Sequence, residues 1–118
     1  MPNEAFWAGL DDLVAVHPVR IDRPRGSAHP RYAAMIYPLD YGYLDGTQAA
    51  DGGGVDVWVG GQPDRGVTGI LCTVDGEKQD VETKSLLGCT LAEARALREF
   101  QTGGRQAALL VLRVSDGE

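Results

Sequence analysis

Cysteine is scarce: Cys72 and Cys89 are the two in 118 residues, too few for a disulfide framework and without metal-ligand spacing. Both read as small buried hydrophobes. No apolar run approaches the roughly 18 to 20 residues that a membrane-spanning helix needs. The opening Met1-Pro2-Asn3-Glu4 is acidic, unlike the basic start of a secretory signal, so a cytoplasmic protein is expected. Positive charge is also short, with 11 Lys+Arg against 17 Asp+Glu and a formal net charge of -6. Such a surface repels nucleic acid and anionic membranes, and neither is expected as a partner. Repeats, low-complexity tracts and linkers are missing, which makes residues 1–118 one domain around a single core.

What is present is turn chemistry. Sixteen glycines and six prolines predict short elements and a β-rich fold. Residues 4–14 form a short helix or an irregular lead-in, with Phe6, Trp7, Leu10, Leu13 and Val14 as the apolar side. Strands are predicted over 16–22, 55–59, 67–74, 81–87 and 106–114. Residues 35–43 are apolar and aromatic, but Pro38 demotes them to an edge strand or a bulge. In Val55-Asp56-Val57-Trp58-Val59 the three valines share one face, and Asp56 and Trp58 share the other. Thr90-Leu91-Ala92-Glu93 has the pattern of a capping box and opens a helix whose apolar face is Leu91, Ala94, Leu97 and Phe100. Gly103-Gly104 ends it. Several strands and one late helix predict a small closed or nearly closed barrel.

The acids fall in pairs. Asp51 and Asp56 bracket a glycine loop that enters a strand, and Asp75 and Asp80 close the two ends of a four-residue hairpin loop. In that register Asp75 and Asp80 face each other with Cβ atoms about 4.5 to 5.5 Å apart, which destabilises the hairpin unless a cation or free solvent separates them. Mg²⁺ suits such corners, because it takes few carboxylates and completes its octahedron with water and substrate phosphates. Acidic turns exposed to solvent are the alternative. Arg20, Arg23, Arg25 and Arg31 crowd one short segment around His29, and the planar guanidinium fork matches phosphate oxygens. A metal-polyphosphate ligand carries both signs and needs both kinds of residue. The other reading of the arginines is a solvated loop paired with surface acids. His17 and His29, each followed by a proline, read as structural or exposed.

Three blocks then become recognisable. Ile21-Asp22-Arg23-Pro24 with Arg25-Gly26-Ser27, Tyr37-Pro38-Leu39-Asp40-Tyr41-Gly42-Tyr43, and Asp51-Gly52-Gly53-Gly54-Val55-Asp56-Val57 resemble, in order and spacing, the soluble family I inorganic pyrophosphatases. The resemblance covers residues from about 16 to 87 and extends to the shorter pyrophosphatase-like proteins grouped with that family. It implies a mainly β, OB-like barrel with one C-terminal helix and a closing strand, and Mg²⁺-dependent hydrolysis of diphosphate to two phosphates, with Mn²⁺ as the other metal. It implies that Asp51, Asp56, Asp75 and Asp80 hold metal. Arg31, Tyr41, Lys84 and Arg25 would bind substrate, and Asp22 and Asp56 would be catalytic. The implied partner is pyrophosphate or a related small phosphate compound, with self-association into a homo-oligomer left open.

The chain also departs from that pattern. Gly53 stands where the family has its middle aspartate, and Glu82 where it has a lysine, with Lys84 two residues further on the same strand face. The hairpin that carries a phosphate-binding arginine in the family has no counterpart, since only residues 33–36 separate Tyr32 from Tyr37. Nothing matches the family's C-terminal Tyr-Lys pair. A pyrophosphatase-like module without activity, binding metal or a phosphorylated ligand, is the alternative these departures favour.

Overall fold

The computed structural model describes residues 2–113, which form two helices and six strands: α1 (Pro2–Val16), β1 (Val19–Arg23), β2 (Asp40–Leu44), β3 (Val55–Val59), β4 (Val67–Asp75), β5 (Asp80–Leu87), α2 (Leu91–Phe100) and β6 (Gln106–Leu112). The strands make one sheet in the order β1-β2-β3-β5-β4-β6, with β1 and β6 at its two ends. All pairs are antiparallel except β3 with β5. The mainly β class is as expected. One correction is the number of helices: residues 4–14 lie in a 15-residue helix, so α2 has an N-terminal counterpart.

The reason for α1 is packing. Trp7, Leu10 and Val14 recur at three- and four-residue spacing and cover Leu44, Val57 and Leu87 on one face of the sheet. The two-residue period of β3 sends Val55, Val57 and Val59 to that face. On the opposite face Trp58 packs with Leu71, Leu86, Ala94 and Leu97 beneath α2. The capping box forms as predicted: Glu93 N–H donates to Thr90 Oγ1 at 3.1 Å, and Thr90 N–H donates to Glu93 Oε1 at 2.9 Å. Of the expected apolar face, Ala94 and Leu97 are buried and Phe100 half-buried, while Leu91 is exposed. Cys89 is buried, but Cys72 is only half-buried.

Two strand expectations shift. Residues 35–39 are not strand, and β2 is interior, between β1 and β3, rather than an edge. Pro38 falls just before it, so no ladder donor is lost. The first strand starts at Val19 because α1 runs to Val16 and Pro18 precedes it. The last ends at Leu112, and Val114 lies outside the described residues.

Between β1 and β2 the chain doubles back as an arm. Gly26 N–H donates to Tyr37 O, Tyr37 N–H to Ser27 O and His29 N–H to Met35 O, all at 2.8 to 2.9 Å. Gly42 lets β1 close on β2 at the root of this arm: a Cβ there would sit 1.8 Å from Arg20 O. The pairing skips one residue, since Ile21 faces Gly42 and Arg23 faces Tyr41, which leaves Asp22 as a bulge.

Candidate functional site

Strand period and register gather the polar residues on the α2 side of the sheet. Asp80, Glu82 and Lys84 alternate along β5, Asp75 lies opposite Asp80, and Tyr41 lies opposite Trp58. Because β3 pairs in parallel with β5 at Val57 and Ser85, Asp56 comes level with Lys84. Above this floor is a cavity of about 960 Å³. Its walls are the 24–37 arm on one side, and the β4–β5 hairpin with the 101–106 segment on the other.

Lys84 is the centre of the floor. It is 5% exposed. Its Nζ donates to Tyr41 Oη at 3.0 Å and Asp56 Oδ2 at 3.4 Å, and lies 3.6 Å from Glu82 Oε2. A buried ammonium needs partners of this kind, because desolvation costs several kcal/mol per ion. Tyr41 also hydrogen-bonds Asp56, and burial first, then the Asp56 charge, push its phenol well above the usual range. It stays neutral and holds the two charged groups in register. Glu82, which at the sequence level is only a departure from a family pattern, is therefore part of the site.

The other expected residues are spread unevenly. Asp22, Arg31, Tyr41, Asp56, Asp75 and Lys84 line the cavity. Asp51, Asp80 and Arg25 are not among its lining residues. Asp51 is an exposed turn residue whose Oδ1 accepts Gly53 N–H at 3.0 Å. The backbone N–H of Arg25 donates to Asp40 Oδ1 at 2.8 Å, and its side chain is outside the lining. Asp75 and Asp80 face each other as predicted. The Oδ1 of Asp75 accepts Glu77 and Lys78 N–H at 2.9 and 3.0 Å, so this carboxylate organises the hairpin turn. The Oδ1 of Asp80 is buried with no hydrogen-bond partner among the described residues.

Sequence reasoning also missed His29. Its Nδ1 accepts the backbone N–H groups of Arg31 at 3.0 Å and Tyr32 at 3.3 Å. The proton of the neutral ring is thereby assigned to Nε2. Burial, then the charges of Arg23, Lys78 and Arg31, hold the imidazole below its ordinary pKa. Cations from the arm and from the hairpin thus converge on a neutral N–H donor. His-Pro-Arg on a tight turn offers no signal of this, because Lys78 is 49 positions away in sequence and its charge acts on His29 only through the fold. Arg23 is committed inward, with its guanidinium donating to Tyr37 Oη and lying 5.6 Å from that ring's centroid.

A resident metal held by four aspartates does not fit this arrangement. Among the described residues no three acid, histidine or cysteine side chains are placed to hold an ion. Asp56 and Glu82 already share the Lys84 ammonium. The Asp75–Asp80 pair sets two carboxylates opposite each other across the ladder, and Asp80 Oδ1 has no hydrogen-bond partner among the described residues.

No protein-family model matches the chain, and no curated protein sequence does. Solved structures do. An inorganic pyrophosphatase from Coxiella burnetii superposes with a TM-score of 0.57 at 17% identity, covering 80% of this chain and 83% of the other. An inorganic pyrophosphatase from the pathogenic bacterium Helicobacter pylori superposes with a TM-score of 0.56 at 15% identity, covering 80% of each chain. The chain has the OB-like, pyrophosphatase-like fold.

Proposed function

We propose that the cavity binds diphosphate or a related phosphoanhydride as its magnesium chelate and hydrolyses it to phosphates. The observation that carries this reading is the meeting of both signs in one cavity: Asp22, Asp56 and Asp75 stand with Arg31, Lys78 and Lys84 around the same space. An ion that arrives with the substrate needs only one or two protein carboxylates, and Asp75 lines the cavity. When bound, magnesium neutralises phosphoryl charge and acidifies bound water.

The chain's own residues supply the rest. Arg31 and Lys78 meet phosphoryl oxygens from opposite walls, and the neutral His29 donates Nε2–H between them. Lys84, clamped by Asp56, Glu82 and Tyr41, presents a fixed positive charge at the floor where negative charge develops. Asp22, placed at the cavity wall by the bulge, takes a proton from the attacking water. A water oxygen–phosphorus bond forms, the bridging oxygen–phosphorus bond breaks, and the bridging oxygen leaves on the second phosphate. Asp56 is the positioning partner of Lys84.

Phosphate release from diphosphate with and without Mg²⁺ tests this. Asp22 is exposed, so Asp22→Asn should fold normally and lose about 10²-fold or more of the metal-dependent rate. An equal rate in the variant would sink the role of Asp22. No release from the parent protein would sink the hydrolase. A second reading, a binding module without turnover, is supported by the ion pairs of Lys84: the ammonium stands between Asp56 and Glu82, where a second cation would have to displace it. Calorimetry separates the two, since the module binds diphosphate and releases no phosphate.

A further inference from the structure

The cavity offers more room and more aromatic surface than diphosphate alone would use. Its volume of about 960 Å³ falls within the range of about 300 to 1,000 Å³ that encloses drug-sized organic ligands. Diphosphate has no carbon and no planar face, and it would use only the cations. At the mouth, Tyr32 lines the cavity and keeps 55% of its surface exposed. Its ring lies 5.1 Å from the His29 ring, centroid to centroid, at an interplanar angle of 39°. Behind it His29 stacks on Tyr37 at 6.1 Å and 13°. The turn carrying these rings is held by its own hydrogen bonds: His29 Nδ1 accepts the Arg31 and Tyr32 N–H groups, and Met35 N–H donates to Tyr32 O at 2.9 Å. An exposed aromatic platform in a cavity that Arg31 and Lys78 also line is set up to stack a planar ring whose substituent carries phosphates.

Resting on the reading of this cavity as a phosphate-compound site, we propose that its ligand class is the nucleoside polyphosphates, with the base stacked on Tyr32 and the phosphates between Arg31, Lys78 and the Lys84 floor. Base-on-aromatic stacking is sequence-tolerant, so purine and pyrimidine compounds should both bind, the purine more tightly.

The test compares two non-cleavable probes by calorimetry on the whole chain with Mg²⁺ present: α,β-methylene-ADP and methylenediphosphonate. The expected result is about tenfold or more tighter binding of the nucleotide. Tyr32→Ala should collapse that ratio towards one, Tyr32→Phe should keep it, and Arg31→Ala should weaken both probes together. Equal affinities in the parent protein, or a ratio unchanged by Tyr32→Ala, would overturn the nucleotide assignment and leave the phosphoanhydride reading standing. Failure of both probes to bind would overturn the two together.

Discussion

At the scale of single residues, Lys84 decides the character of the site. Replacing it with methionine keeps the stem but leaves Asp56 and Glu82 facing each other without their shared cation. Breaking a fully buried pair costs about 3 to 5 kcal/mol. Here both carboxylates are 28% exposed, so a loss nearer about 1 to 3 kcal/mol is expected, read as a shift in the denaturant midpoint. Millimolar Mg²⁺ should raise the melting temperature of Lys84→Met more than that of the parent, because the vacated carboxylates gain an ion through linkage. Equal shifts would mean the ammonium does not hold a cation's place. His29 offers a second check. Its folded pKa is lowered, so its contribution to stability is complete above about pH 6.5 and is lost as pH falls from there towards the folded value. An NMR titration should place its midpoint below about 6.5. A midpoint above that would remove the neutral donor from the cavity.

At the scale of elements, the arm forms one wall of the cavity and helix α2 leads into the 101–106 segment of the other. Leu97 is fully buried among Trp58, Leu71 and Leu86, and Leu97→Ala should cost about 2 to 5 kcal/mol, with the wall that α2 carries disturbed as well. Thr90→Ala removes the cap and should cost about 0.5 to 2 kcal/mol in the same unfolding measurement. Helix α1 is tied to the residue after β6 by a bidentate pair: Arg113 Nη1 and Nη2 donate to Asp11 Oδ1 and Oδ2 at 2.7 and 2.8 Å. The guanidinium lowers the Asp11 pKa, so the pair contributes above about pH 3.9 and its contribution is lost as pH falls through the lower folded value. Asp11 is 43% exposed, which limits the effect to the range of surface pairs, about 0 to 1 kcal/mol. Asp11→Asn should lower stability slightly at pH 7, with a difference that shrinks as pH falls below about 3.9.

At the scale of the whole molecule, the sheet separates two jobs. One face closes on α1 as an apolar core, and the other carries the floor of the cavity and the α2 core. The acidic balance of the chain gives a field that repels anions at long range, so the local cations on the arm and the hairpin must overcome it at short range. Raising salt should therefore weaken phosphate-compound binding less than it would for a protein with a basic surface, because screening reduces long-range repulsion together with short-range attraction. A titration of methylenediphosphonate affinity against ionic strength checks this, and a steep loss would show that the cations act without that opposing field.

Much of this was legible before folding. The strand period of residues 55–59, the Thr90–Glu93 cap and the opposed Asp75 and Asp80 follow from local spacing, since two-residue alternation, capping and hairpin register are rules of neighbouring residues. Local spacing also marked the arginine arm. It could not assemble the site. That Asp56 meets Lys84 depends on the parallel β3–β5 pair, a contact between strands 28 positions apart that no short pattern encodes. That Asp51 stays outside, although it shares a glycine loop with Asp56, depends on a turn that uses its carboxylate to bind Gly53. The residue types and their alternation therefore set which side chains were available for chemistry. The tertiary structure decided which of them share a cavity, because burial and charge pairing are settled between strands rather than along one.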